Sequence, residues 1–73
     1  MSPGEVVMFI NRKSLYAKWF YGQLGIVESY VPYGADGYSH CKVRWINPVK
    51  YGDGFTTCSN FRADNFTKEW VDA

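Results

Sequence analysis

Hydrophobic and polar residues alternate along this chain in short runs broken by turn residues, the pattern of a β protein rather than a helical one. After a Pro3-Gly4 turn, Glu5 to Ile10 (EVVMFI) predicts a first strand. Gln23 to Tyr30 predicts a second, with Leu24, Ile26 and Val27 contributing to the core. His40 to Ile46 predicts a third, in which a period of two puts Cys41, Val43 and Trp45 on one face and Lys42 and Arg44 on the other. Asn47-Pro48 ends that strand and Tyr51-Gly-Asp-Gly54 makes the next turn. Phe55 to Phe61 predicts a fourth strand, Arg62 to Asn65 fits a single 3₁₀ turn, and Phe66 to Trp70 reads as a short closing strand.

Two segments interrupt the alternation. In Asn11 to Phe20, Leu15, Tyr16, Trp19 and Phe20 follow a helical spacing, and Ser14 suits a cap. Ten residues are few for a helix, so a long folded-back loop with one helical turn is expected, clamped to the sheet by Trp19 or Phe20. Val31 to Ser39 holds Pro32, Gly34, Asp36 and Gly37, a connecting loop tipped by Tyr33 and Tyr38. Between them, Gly22-x-x-Gly25-x-Val27 marks a corner in a small curved sheet, because glycine serves where φ turns positive or the backbone must bend. These elements predict one all-β domain spanning the 73 residues, a compact five-stranded barrel.

Composition adds an unusual supply of rings. Three Trp, six Tyr and five Phe make up 19% of the chain, more than a core this small easily encloses. Some are expected at the surface, where Tyr and Trp suit contacts with partners. Net charge is +1, so no global field points to nucleic acid or membrane. Six of the eight basic residues nonetheless fall in two windows without acids: Arg12, Lys13 and Lys18, then Lys42, Arg44 and Lys50. A barrel that gathers both windows on one side has a polarised surface, whereas scattered solvated charges have none.

Chemistry is poorly provided for. His40 and Cys41 are neighbours on a predicted strand and so face opposite ways, which rules out a direct nucleophile–base couple. Two cysteines make no disulfide scaffold, and two sulfurs with one imidazole do not complete a four-ligand zinc site. Cys41 and Cys58 are expected as small core thiols. Gly22-x-x-Gly25 falls short of a dinucleotide fingerprint and precedes a strand, not a helix. No cofactor, metal site or enzymatic activity is expected. The N-terminus lacks the basic start and apolar run of a signal peptide, and no stretch approaches the roughly 20 apolar residues of a membrane span. A cytoplasmic protein with free thiols is the expectation.

Gly4-x-x-Val7 opening the first strand, Tyr21-Gly-x-x-Gly-x-Val27, Val43-Arg-Trp45, Thr56 to Phe61 and Ala-Asp-Asn-Phe66 together resemble the SH3-like small-barrel superfamily, particularly its KOW and Tudor branches. The aromatic content and small size also resemble phage-encoded proteins. The resemblance implies a barrel that binds protein, peptide or nucleic acid, although the chain lacks the acidic loop of a proline-peptide groove. Two functions follow. In the first, the chain is a protein-interaction module, such as a phage-encoded modulator of a host factor. Its anchors are Tyr30, Tyr33, Tyr38, Tyr51 and Phe55. In the second, a basic-aromatic surface of Arg12, Lys13, Lys18, Trp19, Lys42 and Arg44 binds nucleic acid. A strand edge left by a partly open barrel also allows pairing with a second copy.

Overall fold

The computed structural model describes residues 1–68, so the predicted continuation of the closing strand to Trp70 lies outside the described residues. Five strands appear in the expected order: β1 (Val6–Phe9), β2 (Leu24–Val31), β3 (His40–Tyr51), β4 (Gly54–Arg62) and β5 (Phe66–Thr67). One helical turn, α1 (Ala17–Phe20), follows the long early loop, and a 3₁₀ turn (Ala63–Asn65) precedes β5. Ser14 does not cap α1 with its side chain; its Oγ instead accepts the Tyr16 N–H at 3.1 Å, tightening the loop before the helix. Every strand pairing is antiparallel, in the order β4-β3-β2-β1-β5. No helix among the described residues is long and apolar enough to cross a membrane.

The expected barrel is not closed. β4 and β5 are the two edges of an open sheet, and β5 pairs with β1 alone. Rings occupy the space between the edges. Phe61 of β4 meets Phe66 of β5 with centroids 6.1 Å apart, and Phe9 of β1 packs on both at 5.3 and 5.5 Å. Strand neighbours in a ladder lie about 4.8 Å apart, so side chains stacked between the two backbones keep them beyond pairing distance.

The core is Val7, Phe9, Phe20, Val27, Cys41, Val43, Trp45, Val49 and Phe66. Alternation holds on β3, where Cys41, Val43 and Trp45 point inward while Lys42 and Arg44 point out. It fails on β2. Gly25 and Val27 take the inner positions, and Leu24 and Ile26 lie on the outer face, Ile26 38% exposed. The inner position at Gly25 is filled from the opposite strand: a Cβ there would stand 3.2 Å from Val43 Cβ, 3.3 Å from the Arg44 carbonyl oxygen and 3.3 Å from the Trp45 ring. The missing side chain makes room for the indole. Gly22, three residues earlier, serves a different purpose, turning the chain at φ +80° so that its N–H reaches the Phe9 carbonyl at 2.8 Å.

Two irregularities shape the sheet. Glu28 is the extra residue of a bulge in β2, between the Val27↔Val43 and Ser29↔Lys42 pairs. The bulge changes which residues face inward beyond it, so Tyr30, opposite Cys41, packs against the core. The second lies in β3, which does not end at Asn47-Pro48. From the Arg44↔Cys58 pair to Val49↔Thr56, β3 advances five positions while β4 advances two. The surplus bows out as a wide bulge, the one place where a strand tolerates proline.

Because Gly25 is in contact on three sides, Gly25→Val should overpack the core. The expected loss is about 1–3 kcal/mol of unfolding free energy, measured in urea. Gly22→Ala, with open space around it, should act only through its positive φ.

Candidate aromatic trough and basic groove

Phe20 carries the site. The last residue of α1 is 2% exposed and stacks on Trp45 at 5.1 Å, which clamps the early loop onto the sheet. That clamp brings Tyr16 and Trp19 over the inner face of β3 and β4. Tyr16 then meets Phe61 at 5.5 Å and Tyr51 at 6.1 Å, and Trp19 meets Tyr51 edge-on at 4.8 Å. Phe20 touches both Tyr51 and Phe61 from below, at 5.6 and 5.2 Å. The rings fill the space between them edge-to-face and leave no open cage.

Around this cluster lie three adjoining depressions. A trough of about 300 Å³ is lined by Tyr16, Phe20, Tyr51 and Phe61 with Thr56, Cys58, Ser59 and Asn60 of β4. It continues past Tyr16 and Phe61 into a second depression of about 400 Å³ bounded by His40, Arg62 and Asn65. On the other side of the Trp19–Tyr51 pair is a groove of about 360 Å³ between α1 and the bowed part of β3, lined by Lys18, Trp19, Gln23, Pro48, Val49 and Lys50. The Lys18 ammonium sits 4.2 Å from the Trp19 ring centroid, a cation–π contact. No carboxylate among the described residues lines any of the three. Among the described residues, ion pairs engage Glu5, Glu28, Asp36 and Asp64, and none reaches Lys18 or Lys50.

The structure scatters the five aromatic residues expected at an interface. Tyr51 belongs to the trough. Tyr30 is turned into the core region by the β2 bulge and is no surface anchor. Tyr33, 82% exposed, and Tyr38, whose ring carries the Arg62 guanidinium at 4.2 Å, sit on the β2–β3 loop. Phe55, 72% exposed, lies beyond the hairpin at the other end of β3. The basic set divides as well. Lys18 and Trp19 meet in the groove. The Arg12 guanidinium lies on Tyr21 at 4.6 Å and its Nε donates to the phenol oxygen at 3.0 Å. Lys13 is solvated on the early loop. Lys42 and Arg44 point from the sheet face opposite the rings, and Arg44 pairs with Glu28 at 3.0 Å. The two basic windows therefore form no common surface, but they do contribute Lys18 and Lys50 to one groove. Phe61, the ring most central to the trough, was legible only as an alternating residue of a Thr/Ser-rich strand.

The thiols lie on opposite faces. Cys41 is buried, and burial pushes its thiol up to about 11. Cys58 lies across from Arg44 on the outer face and donates to Glu28 Oε1 at 3.6 Å, so it is not the core thiol expected. His40 turns to Asp36, its Nε2 at 2.9 and 3.0 Å from the two carboxylate oxygens. No group of three His, Cys, Asp or Glu side chains gathers to hold a metal ion among the described residues. No protein-family model, curated protein or solved structure matches the chain.

Thiol titration under native conditions at pH 8 should label Cys58 promptly and Cys41 only as fast as the protein unfolds. A second expectation concerns acid. The His40 contact, helped by the Tyr38 N–H, holds the Asp36 carboxyl below its ordinary value of 3.8. A depressed acid stabilises the folded loop above its unfolded pKa and loses that contribution as pH falls through the lower folded value. The protection factor of the Tyr38 amide should therefore fall below about pH 4 and be low throughout in Asp36→Ala.

Proposed function

We propose that this chain is a non-catalytic binding module that takes an extended polypeptide segment in the aromatic trough beside β4. The single observation behind the reading is the convergence of Tyr16, Trp19, Tyr51 and Phe61 on the inner face of an open sheet edge. Rings supply most of the contact energy where proteins meet. The strand beside them is suited to receive a backbone. Gly54 to Phe61 contains neither proline nor charge, the devices that usually block edge pairing. Beyond its ladder with β3, two hydrogen bonds reach the β4 backbone: Thr56 Oγ1 to the Cys58 carbonyl and Asn65 Nδ2 to the Arg62 carbonyl. Strand addition with side chains in adjacent pockets is a recurring mode of peptide recognition.

Kinship with SH3-like small barrels belongs to this proposal. Its support is the long early loop, the glycine-bearing second strand and the 3₁₀ turn before the last strand. A phage-encoded modulator acting in a host cytoplasm fits the same reading. Nucleic acid is the weaker reading, because the rings pack on one another's edges and leave few faces for stacked bases, and because Lys42 and Arg44 point away from them.

Affinity capture with the intact chain should recover a defined protein that survives nuclease treatment. Tyr16→Ala with Tyr51→Ala should lose it. Both rings are 41% exposed, so circular dichroism should show the fold retained, with melting lowered by the loss of their packing on Trp19, Phe20 and Phe61. Tyr33→Ala should retain it. Loss of every association on nuclease treatment would overturn the reading.

A further inference from the structure

We infer that the segment bound in the trough is acidic at one end, its carboxylates entering the Lys18–Trp19–Lys50 groove while its apolar side chains lie against Tyr16, Tyr51 and Phe61. This rests on the proposed function and specifies the partner's chemistry.

The argument is one of charge left over. Among the described residues, several exposed charges are answered locally: Arg44 by Glu28, Arg62 by Asp64, Lys68 by Glu5 and Asp36 by His40. Arg12, Lys13, Lys18, Lys42, Lys50 and Asp53 enter no ion pair there, and of these Lys18 and Lys50 line the same groove, one from α1 and one from beyond the β3 bulge. The bulge makes the groove. The surplus residues between Arg44 and Val49 include Pro48, which lines the groove beside Val49 and Lys50 where the ladder with β4 resumes. Lys18 is drawn over the indole at 4.2 Å, which holds its ammonium above an apolar surface where a carboxylate gains more than in open water.

Trp19 lines the groove and Tyr51 the trough, and the two rings meet edge-on at 4.8 Å, so the two depressions lie on either side of one ring pair. One ligand chain therefore meets cations and rings in sequence. A polypeptide fits better than a polynucleotide. Lysine recognises a carboxylate as a compact point charge, the face of Trp19 is already engaged by Lys18, and among the described residues a phosphate at every nucleotide would find two lysines in the groove.

The test is selection from a displayed library of random 12-residue peptides on the immobilised intact chain. Enriched sequences should combine aromatic or large aliphatic residues with an excess of Asp and Glu over the naive library. The double charge reversal Lys18→Glu with Lys50→Glu, at two exposed positions, should switch the excess to Lys and Arg. It should also weaken a selected acidic peptide at least tenfold. Lys42→Glu, on the far face, should leave that peptide's affinity unchanged. Apolar enrichment without acidic bias, or a bias indifferent to the reversal, overturns this inference and leaves the proposed function standing. No enrichment at all overturns both. Binding of fluorescein-labelled (dT)12 that the reversal abolishes, with no acidic peptide selected, assigns the groove to nucleic acid and overturns the inference as well.

Discussion

The indole of Trp45 lying across the bare backbone of Gly25 is the contact from which the rest of the molecule is built. The ring enters where β2 has no side chain, and its Nε1 donates to Ser59 Oγ at 2.9 Å on β4, so one residue ties three strands. Phe20 stacks on it and brings down the early loop, while Phe66 approaches at 6.1 Å from the last strand. A buried indole whose N–H is satisfied combines a large apolar area with a fixed orientation. In a chain this short, few other contacts could set the direction of so many elements at once.

That arrangement also explains why the surface is aromatic. A small sheet cannot enclose fourteen rings, and part of the surplus is stacked outward from the core in order. Phe9 and Phe20 are buried, Phe61 is half-covered, and Tyr16, Trp19 and Tyr51 form the outer course. The trough is the core continued to the surface. Its rigidity comes from the same packing that stabilises the fold, which is how a binding surface avoids losing conformational entropy when it engages a ligand.

Openness of the sheet has a related cause and consequence. Phe61 and Phe66 separate the two edges, so β4 keeps one side of its backbone unpaired and the trough beside it remains accessible. A closed barrel would have covered both. Charge follows the same division: the outer face balances Arg44 against Glu28, while the groove next to the rings is lined by two lysines that enter no ion pair among the described residues.

The amino-acid order by itself determined what depends on neighbours in the chain. The existence and order of five strands, the inward row of Cys41, Val43 and Trp45, the helical turn and the 3₁₀ turn all follow from local alternation and turn chemistry. Tertiary structure decided everything that depends on register and convergence. The Glu28 bulge moved Tyr30 inward, the Trp45 ring claimed the inner position at Gly25 and so put Leu24 and Ile26 outside, and the β3 surplus carried Lys50 to Lys18. A period of two repeats only while no residue is inserted, and whether a bulge is inserted is settled by the strand opposite. Tyr16, Tyr51 and Phe61 lie far apart in the chain, and only the packing of Phe20 on Trp45 makes them neighbours.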